Sequence, residues 1–151
     1  GLGIACAVYK GQTAVAVVAE VKIDHAAEDV RINRIWCAQD CGLVINPSQV
    51  ENQIMGNIVW GCSMALKERI TITAGEVEES NFDTYEILRH DETPEMTVAL
   101  IDAPEQPPVA VGESAFGPVA PAIANAVFAA TGRRIRNLPI SYDSLFSNGD
   151  A

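Results

Sequence analysis

Residues 13–23, TAVAVVAEVKI, combine β-branched and small side chains and predict a strand. His25 to Asp29 reads as a polar turn and Val30 to Asp40 as a second strand, so the two predict a hairpin. Strict alternation on the second strand puts Val30, Ile32 and Arg34 on one face and Ile35 and Cys37 on the other. Asn46-Pro47-Ser48-Gln49 then predicts a helix start. Asn46 is the N-cap, Pro47 occupies the first turn, and Gln49 stands where a capping box needs it. Val50, Ile54, Ile58, Cys62 and Leu66 recur at helical spacing and carry that helix to about Lys67. Gly56 and Gly61 interrupt it, each at roughly 1 kcal/mol against Ala. A helix keeps such glycines where a neighbouring element or a ligand approaches closely.

Short strands are predicted at Glu68–Ile72 and Val77–Glu79 around Ala74-Gly75, and another at Met96–Ile101. A proline-containing loop follows over Asp102–Val109, then a small, glycine-rich segment over Ala110–Gly117. Pro118 to Thr131 predicts a second helix, with a thin alanine face at Ala122, Ala126 and Ala129-Ala130, stopped by Gly132. Arg133, Arg134 and Arg136 suit the negative end of its dipole. Strands mixed with two main helices, without regular βαβ alternation, predict an α+β fold in a single domain over residues 1–151.

Composition narrows the function classes. The chain has 151 residues, 48% apolar and 20% charged, which describes a globular protein and excludes a disordered one. Ten Lys and Arg face twenty Asp and Glu, a net charge of −10 that argues against nucleic acid and against an anionic membrane surface. Residues 76–105 carry ten of those acids and one Arg, and read as a solvated acidic face. The longest apolar run, Ala14–Ala19, is far too short to span a membrane. Cys6, Cys37, Cys41 and Cys62 form no CxxC pair, so they read as free thiols or small hydrophobes, with no zinc or iron–sulfur site. Gly1-Leu2-Gly3 follows no strand and makes no dinucleotide fingerprint. Neither GxxxxGK nor GxSxG occurs.

One segment stands apart. In Ala110-Val111-Gly112-Glu113-Ser114-Ala115-Phe116-Gly117-Pro118, a single carboxylate lies among small residues ahead of a helix. Glu113 can be a helix-terminal anion. Alternatively it is a general base beside a glycine that lets a ligand approach the backbone.

Three ordered motifs decide between these readings. They are Asp40-Cys41-Gly42-Leu43-Val44-Ile45-Asn46-Pro47, Gln53-Ile54-Met55-Gly56, and Ala110-Val111-Gly112-Glu113, with Gln53 standing 60 residues before Glu113. Val18–Val21, Ser80–Tyr85 and Ala122–Ala126 support them. Together they resemble the molybdenum hydroxylases, the family of xanthine dehydrogenase and aldehyde oxidoreductase. The likeness is strongest to the molybdopterin-binding large subunits of the isoquinoline 1-oxidoreductase and bacterial aldehyde dehydrogenase kind. Met55 and Asn57 depart from the residues common in that family.

The resemblance implies that Glu113 is the general base beside the metal. It implies that Ala110, Val111 and Gly112 run past the pterin with their backbone, that Gln53 lies near the metal, and that Ile45 and Asn46 lie near the cofactor's tail. The implied cofactor is molybdopterin cytosine dinucleotide with molybdenum, with no metal ligand from these side chains. The implied reaction oxidises an aldehyde or an N-heterocycle with water-derived oxygen, and the electrons leave through iron–sulfur clusters. The implied partners are the remainder of a longer large subunit, an iron–sulfur small subunit and a small-molecule substrate. On this reading residues 1–151 are the C-terminal part of that large subunit, inert alone, in the cytoplasm or periplasm of a bacterium. Two other classes stay open: a non-catalytic assembly domain, and a thiol- or metal-based redox protein built on Cys37 and Cys41.

Overall fold

A four-stranded sheet with helices on one face organises the computed structural model, which describes residues 1–146. Strands β1 (Leu2–Tyr9), β2 (Thr13–Asp24) and β3 (Asp29–Asp40) form an antiparallel meander. Strand β6 (Glu95–Leu100) joins the far edge parallel to β3. A parallel neighbour needs a crossover, and helix α1 (Pro47–Leu66) lies within it. A two-stranded ribbon, β4 (Ile72–Thr73) and β5 (Glu76–Val77), turns at Ala74-Gly75 inside the same connection. Helices α2 (Val119–Thr131) and α3 (Tyr142–Phe146) complete the α+β architecture. None of the helices is long and apolar enough to cross a membrane among the described residues.

The hairpin at 25–29 is present, but β3 departs from strict alternation. A bulge lets Glu20 pair with Arg34 while Val21 pairs with Ile32, leaving Asn33 as the extra residue. The bulge resets the phase of the strand. Ile35, Cys37 and Gln39 therefore face the same core as Val30 and Ile32, and all five are buried. The two-face assignment made from the sequence is corrected on this point.

Helix α1 begins as the capping pattern dictates: Asn46 accepts from the backbone N–H of Gln49 at 3.3 Å. Ile54, Ile58 and Cys62 are wholly buried, with Val50 and Leu66 partly buried at the ends of the stripe. Helix α2 starts one residue later than expected and ends at Gly132, whose φ of 71° is the left-handed conformation of a C-terminal stop. Of the strands expected at Glu68–Ile72 and Val77–Glu79 only Ile72 and Val77 lie in the two-residue strands of the ribbon; residues 68–71 and 78–79 are irregular. Two of the arginines after α2 make specific contacts: Arg133 donates to the Leu145 carbonyl, and Arg134 donates to Asn125 and lies 3.8 Å from the Phe128 ring centre.

Strand β1 and helix α3 have no counterpart in the sequence reading. β1 is held by close approach. A Cβ on Gly3 would sit 2.1 Å from the Ala126 nitrogen and 2.3 Å from the Ala122 oxygen. The alanine face of α2 lies directly on the strand, and Asn125 donates to the Ile4 carbonyl at 2.9 Å. The glycines of Gly1-Leu2-Gly3 serve helix packing.

Candidate active site

The three motifs meet at one end of the sheet. β3 ends at Asp40 and the chain turns through Gly42, whose φ is 70°. A side chain there would collide with the Pro107 carbonyl, 2.2 Å from a built Cβ. Leu43 N–H donates to the Gln106 carbonyl at 3.1 Å, and Val109 N–H to the Cys41 carbonyl at 3.0 Å. These bonds lace the segment ahead of α1 to the loop ahead of Ala110. Between them lies a cavity of about 270 Å³, lined by Cys41, Leu43, Ile45, Asn46, Gln49, Val50, Gln53, Pro108, Val109 and Val111. Ile45, Asn46, Gln53 and Val111, drawn from three separate motifs, thus share one concavity. Ile45, on the wall of this cavity, is 76% exposed.

Glu113 follows on the same loop and is exposed. Helix α2 begins only at Val119, its N-cap is Pro118, and no side chain caps it. The helix-terminal reading of Glu113 is therefore excluded. Its carboxylate instead accepts from the phenol of Tyr9, at the end of β1. The described structure places no Arg or Lys in an ion pair with Glu113.

The loop is pinned on both sides of this carboxylate. Asn57, on α1 and only 4% exposed, donates to the Gln53 carbonyl at 2.7 Å and to the Gly112 carbonyl at 3.0 Å. Its side-chain oxygen accepts from Phe116 N–H at 3.1 Å. Gln39, fully buried on β3, donates to the Ser114 hydroxyl at 2.9 Å, and its own oxygen is buried without a partner among the described residues. Thr13 adds a longer bond to the Ala110 carbonyl at 3.4 Å. Sequence reading named Asn57 only as a departure from the family and passed over Gln39. A buried amide in an apolar stripe was the available signal, since such a group must find partners.

The two helix glycines differ. A Cβ on Gly61 would lie 2.6 Å from that of Val119, so this glycine permits α1 and α2 to cross closely. A Cβ on Gly56 would meet nothing within 4 Å, and Gly112 and Gly117 are equally open. Trp60, 53% exposed, stacks on Phe116 with ring centres 4.5 Å apart.

The thiols supply no alternative centre. Burial pushes the Cys37 thiol up to about 11 and the Cys62 thiol up to about 12, and it raises Cys41 with help from the Asp40 charge. No group of three or more His, Cys, Asp or Glu could hold a metal among the described residues.

The model of the molybdopterin cofactor-binding domain matches residues 5–94. This chain belongs to that family. A nicotinate dehydrogenase chain of Pseudomonas putida is 39% identical over 126 residues, covering 83% of this chain and 11% of the relative. The beta chain of isoquinoline 1-oxidoreductase from Brevundimonas diminuta is 36% identical over 139 residues, covering 92% of this chain and 18% of the relative. Quinoline 2-oxidoreductase from Pseudomonas putida 86 superposes with a TM-score of 0.81 at 26% identity, over 89% of this chain and 18% of that one. This molybdopterin-binding domain thus spans less than a fifth of the length of these relatives. Its cavity suits such a cofactor. It is concave, lined by Val109 and Val111 of the loop, by Cys41 and Leu43 of the turn, and by Asn46, Gln49 and Gln53 at the start of α1.

Proposed function

We propose that this domain forms one wall of the molybdenum site in a molybdopterin-dependent hydroxylase, with Glu113 as general base. The substrate is an aldehyde or an electron-poor N-heterocycle, and the partners are the rest of a large subunit and an iron–sulfur subunit. The observation that carries the reading is the shared cavity: Ile45, Asn46, Gln53 and Val111 line it, and Glu113 stands two residues after Val111 on the same loop. In this reading Ile45 and Asn46 hold the tail of the cofactor, in its cytosine dinucleotide form. Ala110, Val111 and Gly112 would contact the pterin through their backbone, and Gln53 would lie on the metal side of the cofactor.

The bound cofactor supplies the two-electron oxidation. This chain supplies the proton acceptor. The Glu113 carboxylate takes the proton that must leave water-derived oxygen as it attacks carbon, and no ion pair engages it among the described residues. Asn57 and Gln39 hold the residues on either side, so the carboxylate starts from a defined position. Gly112 carries no side chain that would fill the approach.

The test is Glu113→Gln in the complete molybdenum enzyme. The amide keeps the shape and cannot take the proton. General-base assistance is worth about 10²–10⁴-fold, so reduction by substrate should slow by at least that range with molybdenum content unchanged. A variant reduced at the normal rate would sink the assignment.

A further inference from the structure

The tight β1–β2 turn brings a phenol to the Glu113 carboxylate. Tyr9, the last residue of β1, donates its phenol to Glu113 across 104 positions of sequence. The next residue, Lys10, is not glycine, yet its φ is 49°, a left-handed conformation that side chains disfavour. Gly11 follows at 69°, and Gln12 N–H closes the turn on the Tyr9 carbonyl at 3.0 Å. The pair of left-handed residues folds Lys10 back, with its ammonium 5.0 Å from the Tyr9 ring centre. The opposite side of the turn is anchored by Thr13, which bonds the Ala110 carbonyl in the same loop as Glu113.

We propose that Tyr9, backed by Lys10, is a positioning tether that fixes the direction of the Glu113 carboxylate by donating to its charged form. The proposal rests on Glu113 as the base but adds a residue pair from the far end of the chain. The contact with Tyr9 raises the Lys10 ammonium above its ordinary value, and the Glu113 charge adds to this. Tyr9 and Lys10 are the titratable groups that bear on Glu113 from β1 and its turn. From α1 and β3 the neutral amides of Asn57 and Gln39 hold its neighbours, and residues 114–131 contain no titratable side chain.

The experiment is steady-state kinetics of Tyr9→Phe in the complete molybdenum enzyme, reading kcat, KM and molybdenum content. Tyr9→Phe should lower kcat severalfold with KM and molybdenum content unchanged, because the phenol aims the base and binds neither substrate nor cofactor. Lys10→Asn tolerates the left-handed turn and should lower kcat by less. In a Glu113→Gln background Tyr9→Phe should have no further effect, which a merely structural role would not produce. If Tyr9→Phe loses molybdenum, fluorotyrosine in the natural sequence decides instead, by a change in kcat at constant molybdenum content. A Tyr9→Phe enzyme of normal kcat, or one that slows Glu113→Gln further, overturns the tether and leaves the base assignment standing. A Glu113→Gln enzyme of normal rate removes the base assignment itself.

Discussion

Asn57 shows how much one side chain decides here. It is nearly buried, and each of its polar atoms is used, on Gln53, Gly112 and Phe116. Asn57→Leu keeps the size but leaves the Gly112 carbonyl and the Phe116 amide without their partner. Each stranded group costs about 1–3 kcal/mol, so the urea midpoint should fall clearly, and hydrogen exchange at Phe116 should accelerate. An unchanged exchange rate would mean the loop is held by something else. The thiols give a second test. Cys6 is exposed, while Cys37, Cys41 and Cys62 are buried. A disulfide reagent near neutral pH should label one thiol quickly in the folded chain and all four in urea. Labelling of Cys37 or Cys62 at the rate of Cys6 would contradict their burial.

At the scale of elements, the glycines separate packing from openness. Gly3 and Gly61 stand where strand meets helix and where helix meets helix, with built Cβ contacts of 2.1 Å and 2.6 Å. Gly3→Ala pushes on backbone, which cannot yield, whereas Gly61→Ala pushes on the Val119 side chain. Overpacking typically costs about 1–3 kcal/mol, with Gly3→Ala expected at or above the top of that range. Gly56→Ala meets nothing, so helix propensity alone acts and should stabilise α1 by about 0.5–1 kcal/mol. Thermal melts of the three variants check both signs. If Gly56→Ala raises stability and weakens cofactor retention in the complete enzyme, the glycine is kept for the ligand.

Across the molecule as a whole, the sheet has one covered face. The helices lie over Val15, Val17, Ala19 and Ile35, all essentially buried. The other face presents Leu2, Ile4, Cys6 and Val8 beside Ala14, Ala16 and Val18, with Ile4 59% and Val8 68% exposed. Such a face should bind an apolar dye in the native state. Ile4→Lys with Val8→Lys should remove the signal with little change in melting temperature, and a persistent signal would place the apolar surface elsewhere. Stability should also fall in alkali. The folded Cys37 and Cys62 values, about 11 and about 12, lie above the ordinary 9.0. Below that ordinary value the thiols are neutral whether folded or unfolded, and their contribution is complete. As pH rises past it only the unfolded chain ionises, so stability is lost progressively through the folded values. Unfolding followed from neutral pH upward, with and without Cys62→Ala, measures that slope.

Elements whose signals are local were legible in the chain alone. The Asn46 cap, the Ile54–Ile58–Cys62 stripe and the Gly132 stop each involve residues within a few positions, and each appears as its chemistry requires. The ordered motifs also sufficed to name the family. Tertiary contacts decided the rest, because they join distant residues. The bulge at Asn33 became visible only through the pairing of β3 with β2, which turned Ile35 and Cys37 into the core. β1 pairs with β2 through a local turn, but its fit beneath α2, more than a hundred residues later, depends on the bare backbone at Gly3. Glu113 was legible as a candidate, but its freedom from the helix start, its Tyr9 donor and the amides flanking it come from four separate elements. Local propensity fixes which segments are helix or strand, whereas side chains from remote segments meet only after the backbone has closed around a common core.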